Sequence, residues 1–183
     1  RALGSDGEIG FELNELQQAR DDESLEMQLM AMVCATYATG EVVAFALIRH
    51  ALKALTPTPF REVLREIAAD EALHARLGPM LVDHLRRNPK STWLHYPGDR
   101  WVADCVRQAI RELSARDVVE QDEADLFADP EAAKQLDLLG IPPSEPFRGA
   151  YLKALREDVP DGLARVGVEI DSTTSPGGRR ASR

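Results

Sequence analysis

The chain has 183 residues, 44% of them hydrophobic and only 5% aromatic, with a formal net charge of -9. That length supports one hydrophobic core, and a composition rich in Ala, Leu and Glu favours helices over a sheet. The acidic balance excludes nucleic acid as a main partner, since phosphate binding needs a basic face.

Residues 1–23 carry early glycines and little periodicity, and read as a loop, a crossover or a truncated N-terminus. The first residue is Arg1 rather than Met, which fits a chain lacking its beginning. A strong helix is expected over residues 24–55, with Asp21, Asp22 and Glu23 near its start, where acidic groups suit the helix dipole. Met27, Met30, Cys34, Tyr37, Glu41, Ala44, Ile48, Ala51 and Leu55 recur on it at helical spacing as one seam. Thr56-Pro57-Thr58-Pro59 ends that helix and starts the next, because proline disfavours the helix before it and suits the first turn after it. The second helix should reach Arg87, where Asn88-Pro89 stops it, with a kink at Gly78-Pro79. Its seam is Phe60, Leu64, Ile67, Glu71, His74, Gly78, Leu81 and Leu85.

Residues 88–99 form a loop in which His95 has no acid at metal-binding spacing. A third helix is expected over residues 101–127, with Glu120, Asp122, Glu123 and Asp125 at its end as a solvated acidic face. Asp129-Pro130-Glu131 starts a short helix that Gly140 stops, and another runs over residues 144–158. From Asp171 onward Ser, Thr, Gly and Arg dominate, the composition of a disordered tail. The resulting organisation is an N-terminal loop or crossover at 1–23, a hairpin at 24–87, a C-terminal helical extension at 88–170 and a tail at 171–183.

The longest uninterrupted apolar run, residues 42–48, is too short to cross a bilayer. No basic-then-apolar leader opens the chain, so a cytoplasmic protein with no membrane partner is expected. Cys34 and Cys105 stand far apart in no ligand motif and read as reduced core cysteines.

Chemistry concentrates at Glu41 and at Glu71-Ala72-Leu73-His74. Glu41 precedes the Thr-Pro turn by about as many residues as Glu71 and His74 follow it. In an antiparallel hairpin rising about 1.5 Å per residue, the three side chains reach the same height. Glu71 and His74, three apart, also share one helix face. An isolated Glu-x-x-His equally describes a surface pair or a core histidine bonded to its acid. Mirror placement about a turn, on the apolar seams of both helices, points instead to a metal half-site of two carboxylates and an imidazole.

At Glu41 and Asp70-Glu71-Ala72-Leu73-His74 the chain resembles the ferritin-like superfamily of di-iron carboxylate proteins. The likeness covers about residues 24–87, and the stretch REIAADEALHARLG looks like the last core helix of bacterial members. The resemblance implies an all-α, ferritin-like helical bundle: an antiparallel long-helix hairpin with additional C-terminal helices. It makes Glu41, Glu71 and His74 ligands of a di-iron centre. Asp70 would then orient a histidine of the opposite half, its alternative being a solvent-facing residue. Tyr37 would line the site, its alternative being core packing. The implied function is a di-iron oxidase or oxygenase acting with iron and O2. The alternatives are an iron-handling ferroxidase or storage protein, and a helical structural or interaction module with a vestigial site.

The pattern is incomplete. A full site takes a Glu from each of two helices and a Glu-x-x-His from each of two others. Here His50 and His84 lack an acid three residues earlier, and no histidine precedes residue 24. The missing half lies upstream of Arg1, comes from a second chain in a homodimer, or has been lost.

Overall fold

Ser24 caps the first helix, its hydroxyl accepting from the Met27 amide at 3.3 Å and satisfying one of the amides that a helix start leaves open. The computed structural model describes residues 24–89, 94–115, 128–139, 141 and 144–170. Among them the regular structure is entirely helical, so the fold is all-α. The expected loop or crossover at 1–23, the acidic run at 120–125 and the tail from 171 lie outside the described residues.

Helix α1 (Leu25–Met32), a π-helical segment (Val33–Gly40) and helix α2 (Glu41–Ala54) run end to end as one helical path. Sequence periodicity indicates a plain α-helix here; the wide central turn corrects it. The Glu41 amide reaches back five residues to the Thr36 carbonyl, and the buried Thr39 hydroxyl donates to the Cys34 carbonyl at 2.8 Å. The extra residue re-phases the buried face. Met30, Cys34 and Ala38 follow one another at steps of four, whereas the next buried apolar residue, Val43, comes five later.

By length and composition the path Leu25–Ala54 is apolar enough to cross a membrane, although its longest uninterrupted apolar run is not. Mostly buried core helices and signal sequences pass the same test; here 28% of the apolar window is buried, and the path packs against helices from both later parts of the chain.

The hairpin turn is built by capping. Thr58 accepts from the Arg61 amide at 3.3 Å, Pro59 occupies the first turn, and Arg61 Nε donates to the Leu52 carbonyl at 3.0 Å. Helix α3 (Pro59–Arg87) then returns along α2 and the π segment, continuous through Pro79. Gly78 makes the close approach possible. A β-carbon there would lie 2.5 Å from Ala38 Cα, and nearer still to the Ala38 nitrogen and the Tyr37 carbonyl carbon.

The C-terminal half of α3 buries Gly78, Pro79, Val82 and Leu85, while Phe60 is 51% and Ile67 41% exposed. The expected α3 seam is thus covered over only part of its length. Its open part carries Glu71 and His74.

Helix α4 (Asp99–Ser114) starts two residues before the expected position, after Gly98, whose φ of 106° suits glycine. It buries Val102, Ala103, Val106 and Ala109, and packs on the π segment. Its expected continuation over 116–127 lies outside the described residues. Helix α5 (Pro130–Leu138) is capped by Asp129 and tied to the hairpin turn by Asp137, which accepts from the Thr56 hydroxyl at 2.7 Å.

Helix α6 (Ser144–Lys153) leads through a second π-helical segment (Ala154–Asp158) into α7 (Val159–Ala164). Helical structure therefore continues past residue 158, with Pro160 in the first turn of α7, directly after the π-helical segment. Gly167, at φ 84°, closes α7: its amide donates to the Ala164 carbonyl, and the Val168 amide donates to that of Leu163, both at 3.0 Å. Leu155, Val159, Leu163 and Val168 join Met30 and Val82 in the same buried core.

Candidate metal centre

Glu41 is the first residue of α2, directly after the π segment, and Glu71 and His74 lie one turn apart on α3. One ligand atom from each falls within 4.8 Å of both others. His74 Nδ1 stands 3.3 Å from Glu71 Oε2. Counting residues on each side of the turn thus places the three together, as the structure does. Among the described residues this is the cluster of His, Cys, Asp and Glu side chains able to hold a metal ion.

The electrostatics follow from crowding. Burial raises the Glu41 carboxyl above the ordinary glutamate value, and the charge and hydrogen bond of neighbouring Glu71 raise it further; His74 opposes them. Two neighbouring carboxylates repel when both are ionised, and a cation between them would relieve that repulsion. The side chain of Glu71 is 22% exposed and that of His74 50%, so the cluster opens to solvent on the His74 side. Exposed Val63, Ile67, Leu73 and Leu77 flank it along α3.

Asp70 is exposed on α3, the solvent-facing alternative, and no second histidine faces it among the described residues. Tyr37 is half-buried and packs on the core, with its backbone beneath Gly78. His95 Nδ1 pairs with Glu26 Oε2 at 3.3 Å, away from the cluster. His50 meets the ring of Phe147 edge-on, with centroids 6.5 Å apart, and its buried Nε2 has no hydrogen-bond partner.

No protein-family model matches this chain, and no curated protein or solved structure matches it. The cluster is read from its own geometry.

Two contributors escaped sequence reasoning. Thr39 anchors the wide turn that presents Glu41; a polar residue among small ones in an apolar stretch was its one visible trace. Cys34 and Cys105, far apart in sequence, join the same core, where α4 packs on the first π segment.

Proposed function

We propose that Glu41, Glu71 and His74 form one half of a di-iron carboxylate site on a ferritin-like helical hairpin, acting with iron and O2 as an oxidase or oxygenase. The convergence of two carboxylates and an imidazole from two helices carries this reading. The donor set fits iron: mixed oxygen and nitrogen ligands suit a first-row transition metal. Glu41 and Glu71 crowd each other when no cation lies between them, and a cation would relieve that repulsion.

In this reading Glu41 and Glu71 supply carboxylate oxygens and His74 a ring nitrogen. The close packing of Gly78 on Ala38 holds the two helices at a set separation. Bound iron would supply one-electron and O2 chemistry. The chain's own part is to orient the donors, hold the two carboxylates close enough to share a cation, and leave the His74 side open for further ligands. A second copy of the chain, meeting the first across that open side, would bring the same three donors and complete a set of four carboxylates and two imidazoles.

The exposure of His74 also favours iron uptake or oxidation without an organic substrate, because an open donor face admits hydrated ions directly.

Iron per chain, measured after anaerobic loading with Fe(II) and desalting, tests the proposal. Stoichiometric iron in the parent chain, lost in His74→Ala and Glu71→Ala, is the expected result. No retained iron, or iron that both variants keep, would overturn it and leave a helical structural module with a decayed site. In that case the two substitutions would also leave stability unchanged or raised.

A further inference from the structure

Helix α3 carries a second apolar pattern, on the side it leaves open. Its exposed large apolar side chains are Phe60, Val63, Ile67, Leu73, Leu77 and Met80. They are arranged symmetrically about Asp70, which is also exposed. Ile67 and Leu73 lie three residues from it, Val63 and Leu77 seven, and Phe60 and Met80 ten. Those distances are close to one, two and three helical turns, so the residues keep to the side of the helix that Asp70 occupies.

A pattern that reads alike in both directions suits one kind of partner. In a two-fold interface residue i meets residue j of the partner, and j meets i. Where a helix crosses its own copy antiparallel, each position before the axis meets the position equally far beyond it. With the axis at Asp70, Ile67 meets the partner's Leu73, Val63 the partner's Leu77 and Phe60 the partner's Met80. Apolar meets apolar in every case. The charged positions agree. Glu66 and His74, both exposed, stand four residues on either side of Asp70, so each carboxylate faces an imidazole of the other copy. A parallel pairing would instead set each Glu66 on its own counterpart.

We propose that α3 is the interface of a symmetric dimer, packing antiparallel on the α3 of a second copy with the two-fold axis at Asp70. Glu71 and His74 stand one and four residues from that axis, within about 6 Å along the helix. The two clusters therefore lie at the middle of the interface, not at its opposite ends. For its purpose the pairing rests on the reading of Glu41, Glu71 and His74 as a half-site. For its geometry it rests on the apolar pattern alone. The axis also sets Asp70 against the partner's Asp70. Those like charges oppose association until a cation is bound nearby, so the metal-free dimer is the weaker one.

The test uses variants of the full, metal-free chain that each add one cysteine, at high concentration under mild oxidation. Peptide mapping assigns the links, so that Cys34 and Cys105 are accounted for. Asp70→Cys, on the axis, should link to itself between copies. Val63→Cys and Leu77→Cys should each stay unlinked alone and join in an equimolar mixture. Asp70→Asn, followed by sedimentation equilibrium without metal, should tighten the dimer about fivefold, because one like-charge contact is removed. Self-linking of Val63→Cys or Leu77→Cys alone would mean a parallel pairing and overturn the proposal. Absence of every link, or a dimer that Asp70→Asn weakens, would overturn it too and leave the face to another occupant. Iron retention by the parent chain decides the half-site separately. The expected links without retained iron would keep the dimer and sink the half-site; iron held by a monomer would do the reverse.

Discussion

Gly78 of α3 lies directly against the backbone of Ala38, in the π segment that ends where Glu41 begins. The contact sits one turn beyond His74. It therefore sets how closely the helix carrying Glu71 and His74 approaches the one carrying Glu41. Backbone against backbone leaves no flexible side chain to absorb a change.

Gly78→Ala should accordingly be costly. The added methyl meets main-chain atoms, and relief requires the two helices to separate. Overpacking of this kind costs about 1–3 kcal/mol. Chemical denaturation should show a fall of that size, together with weaker iron retention as Glu41 withdraws from Glu71. A variant as stable as the parent would mean that the helices are not closely apposed.

Thr39→Val probes the wide turn. Valine keeps the shape and removes the buried hydroxyl that donates to the Cys34 carbonyl. Loss of such a bond inside the protein costs about 1–2 kcal/mol, read as a lower denaturation midpoint with unchanged slope. A change within experimental error would show that the turn holds without it.

The metal-free chain should respond to pH through Glu41. Its folded carboxyl titrates above the ordinary value, so between the unfolded and folded values the folded state binds more protons. Stability therefore falls as pH rises through that window and recovers as pH drops. Glu41→Gln should flatten this slope and be at least as stable as the parent at neutral pH. Asp99 has the opposite sign. Its hydrogen bonds from Arg86 and Tyr96 hold it below the usual carboxylate range, so its stabilising effect is present above that range and lost as pH falls through the depressed folded value. Denaturation midpoints followed from pH 7 downward, in the parent, Glu41→Gln and Asp99→Asn, separate the two effects.

If a second copy completes the site, metal should drive association. Fe(II) under anaerobic conditions is expected to convert monomer to dimer in a light-scattering measurement. Ile67→Glu, a change on the exposed face beside the cluster, should block the dimer and the bound iron together without unfolding the chain. Iron bound by a persistent monomer would exclude a second copy as the source of the missing donors.

Much of the hairpin was legible before any coordinates. Thr56-Pro57-Thr58-Pro59 marks the turn, apolar residues at steps of three and four mark the helices, and a constant rise per residue brings Glu41 level with Glu71 and His74. These are local properties of the backbone, repeated residue after residue, so arithmetic along the chain recovers them. The π segment was hidden because one extra residue in a turn leaves composition unchanged and shifts only the phase, here between Ala38 and Val43. Burial was hidden for another reason. Phe60 and Ile67 lie on the same expected seam as Leu81 and Leu85, yet only the latter pair packs into the core. The shared core of Cys34 and Cys105 belongs to the packing of α4 on the first helical path. Periodicity tells which residues share a face of one helix; what covers that face is decided by elements distant in sequence, through close packing that no local pattern encodes.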